Sequence, residues 1–416
     1  MTAQVEIKLD SSKNIPQDFY ELKEKAHIIQ TDDEAISIAT KLAEEFKQEA
    51  AIRDHERRLP FKEIQKYSLS GLWGITIPKE FGGAGVSYQT LGQVVKIISS
   101  ADSSLGQIAQ NHWAFLEHIR LDATPEQQKF FFDQVLQGKR FGNAFSEKGS
   151  KTVADLKTTI EFHEDYAIVN GQKFFATGAL LAHWVPTVAV DKDGLAYAAL
   201  IPQHSEGLNI VNDWSGFGQR TTASGTVNLD HVKVNSKYIV PIFRAFERPT
   251  AAGAISQFIQ AAVDAGIADG AINETIHYVK NYSRPWIDSG LEKATDDPYT
   301  ISNIGELKIK LTAANAVLNL AGLAIDRALK DPSEENVNEA TLLTAQAKVL
   351  TTEIAILAAN KLFELSGTRS TLSELNLDRH WRNARTHTLH DPVRWKFNIV
   401  GNYYLNDIPL PRHAWS

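Results

Sequence analysis

The chain is 416 residues long, carries a formal net charge of -7 and has no cysteine. That length suggests roughly two or three domains. The mild acidity gives no reason to expect a nucleic acid or other polyanionic partner, and the missing thiols exclude disulfides, thiolate metal sites and a cysteine nucleophile. Hydrophobic residues make up 43% and charged residues 22%, an ordinary globular composition. Met1–Lys8 has no apolar leader core. No run of about 18 apolar residues suggests a membrane span. The expectation is a cytoplasmic protein without a membrane partner.

Residues 1 to about 30 read as an arm of low periodicity. Thr31-Asp32-Asp33-Glu34 then predicts a helix start, with a capping hydroxyl followed by acids in the first turn. Ile36, Ala39, Leu42, Ala43, Phe46 and Ala50 give that helix one buried face. Pro60 opens a second helix that stops at Gly71, and Phe81-Gly82-Gly83-Ala84-Gly85 must turn. Helical spacing returns over Ser87–Ser100, Leu105–His118 and Pro125–Leu136.

At Gly138 the period changes to that of strands. Leu156–Phe162 alternates, and Tyr166–Val169, Asn170-Gly171 and Gln172–Phe175 predict a hairpin turning at Asn-Gly. Further strands are expected over Val185–Val190, Ala196–Ile201, Gly207–Val211, Thr226–Leu229 and Val232–Val234. Beyond about Phe246 the chain is again helical, with long alanine- and leucine-rich runs over Ile255–Tyr282, Ile304–Leu329 and Val337–Leu365. Such runs suit a bundle or a subunit interface. The expected fold is α+β and mostly α, in three domains. Residues 1–137 would be an N-terminal helical domain, 138–245 a central β-barrel or sandwich, and 246–416 a C-terminal four-helix bundle.

Near the end, Trp381–Lys396 packs three arginines, two histidines, an aspartate and two tryptophans into one run. Taken alone it could be a set of ion pairs, a metal site or a substrate clamp. Arg382 and Arg385 lie on one face of a probable helix and could be structural salt-bridge partners. His387-x-x-His390-Asp391 has no further ligand cluster in the sequence, so no metal is expected.

Three segments resemble the acyl-CoA dehydrogenase fold, in the family's order. They are Ile77–Gly85, Val169–Gly178, and Trp214–Gly225 leading to Val232. The C-terminal run separates branches. Arg382-Asn383-Ala384-Arg385 is similar to the dehydrogenases' R-D-A-R/K, but His390-Asp391-Pro392 stands where they carry tyrosine, the base glutamate and glycine. This form resembles the dibenzothiophene monooxygenase-like, sulfur-acquisition branch, as do Arg284-Pro285-Trp286, Ala294–Tyr299 and Asp378–Trp381. The resemblance covers nearly all of residues 60–416.

The resemblance implies a two-component monooxygenase. Such an enzyme takes reduced FMN from a separate NAD(P)H-flavin reductase, activates O2 as a C4a-hydroperoxyflavin, and oxygenates a small organosulfur compound as a homotetramer. The absence of G-x-G-x-x-G after a strand agrees with an external reductant. The adenine-side motif appears as Ser366-Gly367-Thr368-Arg369-Ser370, with one glycine, which favours FMN over FAD. By resemblance, Arg284 and Arg369 are the phosphate ligands, from one subunit or two, since arginine suits bidentate phosphate contact. Asn143 and Thr177 contact the flavin, and Trp214 walls its face or belongs to the core. His390, His112 and His387 are the candidates to donate to the peroxide, because histidine titrates near neutrality; His387 could instead orient the flavin. Asp391 would be the base in the alternative reading, an FAD-dependent acyl-CoA dehydrogenase. The loop Asp288–Pro298 is a candidate lid.

Overall fold

The computed structural model describes residues 15, 16 and 18–416; the expected N-terminal arm lies partly outside them. Among the described residues five α-helices come first: α1 (Asp32–Glu56), α2 (Phe61–Leu69), α3 (Tyr88–Ala101), α4 (Ser103–Asp122) and α5 (Pro125–Leu136). Thr31 caps α1 by accepting from the Glu34 N–H, and Thr124 and Gln127 form a reciprocal capping box on α5. The start of α4 is fixed from two sides. One Asp102 oxygen accepts from the Ser104 and Leu105 amides, while the other takes the Arg53 guanidinium at 2.9 Å. This buried clamp locks α4 to α1.

The strands are β1 (Thr159–Phe162), β2 (Tyr166–Lys173), β3 (Trp184–Val190), β4 (Ala196–Pro202), β5 (Leu208–Val211), β6 (Thr226–Asn235) and β7 (Ile239–Val240). They form one curled, open sheet in the order β5-β6-β2-β1-β3-β4-β7. The hairpin predicted at Asn170-Gly171 is not there. Residues 166–173 are a single strand, and its hairpin partner is β1. Asn170-Gly171 instead makes a bulge against β6, with the register shifting between Val169 and Gly171. Gly171 sits at φ 151, and a Cβ there would meet Thr158 at 2.4 Å. The glycine is required by backbone approach, not by a turn. Likewise Thr226–Leu229 and Val232–Val234 are one strand, β6.

The C-terminal helices are α6 (Arg244–Glu247), α7 (Ala252–Asn281), α8 (Pro298–Lys330), α9 (Glu334–Ser366), α10 (Asp378–His387) and α11 (Arg394–Asn406). α7, α8 and α9 pack against one another, and α3 packs on α7 and α8. α10 and α11 lie on α9. By length and composition alone α8 and α9 could each cross a bilayer. In the fold they are bundle helices, with 61% of the apolar window of α9 and 39% of that of α8 buried. The remainder of α8 exposes Ile301, Ile309, Leu320 and Leu323.

Candidate active site

Four elements meet around a cavity of about 130 Å3. α4 contributes Gln110 and Asn111, and α7 contributes Gln257 and Gln260. The sheet contributes Asn143, from the segment before β1, and Phe175 and Thr177 beyond β2. His390 and Trp415 close it from the C-terminal side. The loop bearing Asn143 is pinned to β3 by bridges at Phe141–Trp184 and Ala144–Thr187. His390 follows α10, which Arg382 anchors to α1 through Asp54 at 2.6 Å while also pairing within the helix with Asp378 at 2.7 Å. Arg382 is therefore a structural residue. Gly218 lets the preceding loop reach α10, because a Cβ there would collide with the Arg382 carbonyl.

Asn143 is buried, and its Oδ1 has no hydrogen-bond partner among the described residues. The Gln260 Oε1 is orphaned in the same way. Buried acceptors are seldom left unmade, because desolvating one without a partner costs about 1–3 kcal/mol. Both belong to residues lining the cavity, so an occupant with N–H donors would satisfy them. The Thr177 hydroxyl lies 2.7 Å from that of Ser224. Phe175 takes a left-handed backbone, φ 54, and the residue is 51% exposed where it lines the cavity. An aromatic residue held there stores about 1–3 kcal/mol of strain, a feature that clusters at ligand sites. Trp214 does not line the cavity. It stands behind Phe175, with ring centroids 6.1 Å apart, and donates its indole N–H to the Gln219 carbonyl.

A buried polar chain runs behind His390. Lys348 Nζ lies 3.0 Å from Asp264 Oδ2, and Asp264 Oδ1 lies 2.5 Å from His387 Nδ1. His387 Nε2 is 2.7 Å from Gln107 Oε1, and Gln107 Nε2 is 3.0 Å from His390 Nε2. The chain ends where His390 Nδ1 meets the His387 carbonyl at 2.6 Å. Burial opposes the charge on Asp264, but Lys348 and His387 prevail and hold its carboxyl well below the ordinary carboxylate range. His390 itself is exposed at the cavity; desolvation by the atoms packed against its ring, reinforced by His387, lowers its pKa to about 3.

Three sequence expectations are redirected. His112 is fully buried and does not line the cavity: its Nδ1 accepts from the Phe141 amide at 3.0 Å and its Nε2 donates to the Trp73 carbonyl at 2.9 Å. Burial takes its pKa down to about 3. With both nitrogens committed to backbone it ties α4 to the first loop of the β region. Asp391 is also buried beside the cavity rather than facing it. It pairs with Lys396 at 3.7 Å, and the Gln257 amide comes within 3.2 Å. The ion pair with Lys396, rather than the cavity, takes up this carboxylate. Finally, Arg284 and Arg369 do come together, but elsewhere. They line an open cleft of about 600 Å3 between the ends of α7 and α9, floored by Ser366, Gly367 and Thr368. The predicted lid contributes Ala294 and Asp297 to this cleft and nothing to the cavity.

Gln107, Asp264, Lys348, Phe175 and Trp415 were not singled out from the sequence. For two of them a signal was present. Asp264 is the only charged residue between Ala252 and Ala268, and Lys348 the only one between Thr341 and Thr352. Lone charges in long apolar helices are buried and must be paired.

Residues 35–139 match the acyl-CoA dehydrogenase N-terminal domain, and residues 258–395 the acyl-CoA dehydrogenase C-terminal domain. Dibenzothiophene monooxygenase of Rhodococcus qingshengii is 33% identical over 91% of this chain and 95% of its own length. The probable FMNH2-dependent monooxygenase SfnC of Pseudomonas putida is 32% identical over 90% of this chain and 95% of its own. The crystal structure of FMN-bound TdsC from Paenibacillus sp. A11-2 superposes with a TM-score of 0.88 at 32% identity, covering 92% of this chain and all of the other. The chain belongs to the dibenzothiophene monooxygenase branch of the acyl-CoA dehydrogenase-fold flavin monooxygenases.

Proposed function

We propose that the protein is an FMNH2-dependent monooxygenase. It takes reduced FMN from a separate NAD(P)H-flavin reductase and, with O2, oxygenates a small organosulfur compound for sulfur acquisition in the cytoplasm. The observation that carries this reading is the cavity itself, which Asn143 and Gln260, each with an orphaned oxygen, line together with His390. A reduced isoalloxazine has ring N–H groups that would fill those acceptors, so the residues present fit the cofactor. When bound, the flavin supplies the electrons that activate oxygen. Asn143 and Thr177 would orient the ring, Phe175 and Trp415 would exclude water, and His390 would exchange a proton with the reacting oxygen.

The phosphate belongs with Arg284 and Arg369, whose cleft shares no lining residue with the cavity of the same chain. We therefore assign the arginine cleft to the flavin of a neighbouring copy in a homotetramer. The exposed apolar residues of α8, and Trp395, Phe397 and Leu405 of α11, would be covered in that assembly. The dehydrogenase alternative is disfavoured by the Asp391–Lys396 pair, which occupies the residue a thioester base would need.

The test supplies protein, FMN, NADH and a flavin reductase in air, with dibenzothiophene, dimethyl sulfone and methanesulfinate in turn. At least one should yield an oxygenated product in proportion to the FMNH2 consumed. Hydrogen peroxide alone with all three, together with reduction of a bound FAD by an acyl-CoA, would replace this reading with the dehydrogenase.

A further inference from the structure

With the Gln107 amide oriented as in this structure, the hydrogen bonds behind the cavity set where the protons are. His387 Nδ1 faces a carboxylate oxygen and its Nε2 faces the Gln107 carbonyl oxygen. Both partners only accept, so both nitrogens carry hydrogen and His387 is an imidazolium. His390 Nδ1 faces a backbone carbonyl and must donate, while its Nε2 faces the Gln107 NH2 group and must accept. His390 is therefore neutral. The ammonium of Lys348 and the imidazolium of His387 face the single carboxylate of Asp264, which leaves one buried positive charge in excess.

The one member of this chain that can invert without moving its neighbours is Gln107. Its two amide ends are nearly the same shape, and each touches one histidine. Turned over, its NH2 group would face His387 Nε2 and its carbonyl oxygen would face His390 Nε2. Every contact is then satisfied again on one condition: the proton on His387 Nε2 is lost there and gained on His390 Nε2. Both arrangements hold the same number of protons, with none taken from solvent.

We propose that Gln107 is a two-position positioning residue that decides whether the excess proton of the site rests on His387 or on His390. In the arrangement seen, the charge lies deep, against Asp264 of α7 and beside Lys348 of α9. In the reversed one it lies in the cavity wall on His390, whose Nε2–H serves as an acid when an oxygen in the cavity replaces the Gln107 carbonyl as its acceptor. An anionic oxygen in the cavity favours reversal, because the attraction strengthens as the charge approaches it. The Asp391–Lys396 pair, next in the chain, is internally neutral and does not oppose the shift. His112 lacks such a device, since both its partners are backbone.

The proposal rests on the cavity being the reaction site, but its first test does not. Nitrogen NMR of the flavin-free protein labelled in its histidine rings, with His387→Gln and His390→Gln for assignment, counts the ring protons at pH 7. The wild type should show three N–H protons on the pair, with only His390 Nε2 bare. Gln107→Glu, which can only accept, should add the fourth and make His390 an imidazolium. Gln107→Met should leave His390 with its Nδ1 proton but let its titration rise. In turnover, Gln107→Met should lower kcat about a hundredfold, with the KM for FMNH2 unchanged and the acid limb of the pH profile moved. Two or four protons on the wild-type pair, or the same proton pattern and pH profile in wild type and Gln107→Met, would overturn the proposal. Gln107→Met carries the test alone should the buried glutamate prevent folding.

Discussion

His112 and His390 began as equivalent candidates, and the two regions around them show what separates a packed histidine from a usable one. His112 is fully buried while His390 is exposed at the cavity, yet desolvation by the atoms packed around each ring lowers both to about 3. They differ in their partners. His112 is held at both nitrogens by backbone of fixed polarity, one donor and one acceptor, which dictates a single neutral tautomer. His390 is held at one nitrogen by backbone and at the other by an amide that can reverse. A depressed pKa does not identify a catalytic histidine; exposure to a cavity together with a partner able to change polarity does.

The sharpest way to break this comparison is His390→Ala. Product formed per FMNH2 should fall by about 10²–10⁴-fold, the usual size of a lost acid–base group, with peroxide released instead. A loss under fivefold would remove His390 from the chemistry.

His112→Ala should do the reverse. It leaves the Trp73 carbonyl and the Phe141 amide buried without partners and opens a void among Trp73, Trp113 and Phe141. The stability loss should be about 2–4 kcal/mol, read by urea unfolding, with kcat per folded molecule preserved. A normal melting curve with lost activity would make the two histidines equivalent after all.

Acid should act through the packed histidines. His112 and His183 are held near 3 and His380 near 4, each primarily by burial. An unfolded histidine titrates near 6.5, so below that pH the unfolded chain binds protons the native one refuses. Stability is thus unaffected above about pH 6.5 and is lost as pH falls from there toward 4, by about 1.4 kcal/mol per pH unit for each histidine. His112→Gln should flatten the slope by one histidine's share. Unfolding free energies that stay level from pH 7.5 to 4.5 would contradict the buried, neutral assignment.

The smallest effect belongs to the other cleft. Arg284→Ala or Arg369→Ala should raise the KM for FMNH2 about tenfold, equivalent to about 1.4 kcal/mol of binding, while the fraction of flavin committed to product stays constant. A change in that fraction without a change in KM would place these arginines in the chemistry rather than on the phosphate.

The order of helices and strands, the helix start at Thr31, the helix over Pro125–Leu136 and the family motifs were legible because they depend on periodicity, local capping and short-range spacing. So was the gathering of Asn143, Thr177 and His390, but only through resemblance, since nothing local marks three residues so far apart as neighbours. Asn170-Gly171 misled because its local preference for a turn is overridden by pairing on both sides: β1 and β6 flank β2 and keep the strand continuous through a bulge. Sequence alone thus determined the elements, the charge pattern and the family. Tertiary structure alone decided which histidine has a reversible partner, that Asp391 is neutralised by Lys396, and that Arg284 and Arg369 lie away from the cavity. The reason is physical: a proton's position depends on the polarity of atoms within about 3 Å, and the chain brings those atoms together from α4, α7, α9 and α10, across separations that no local pattern records.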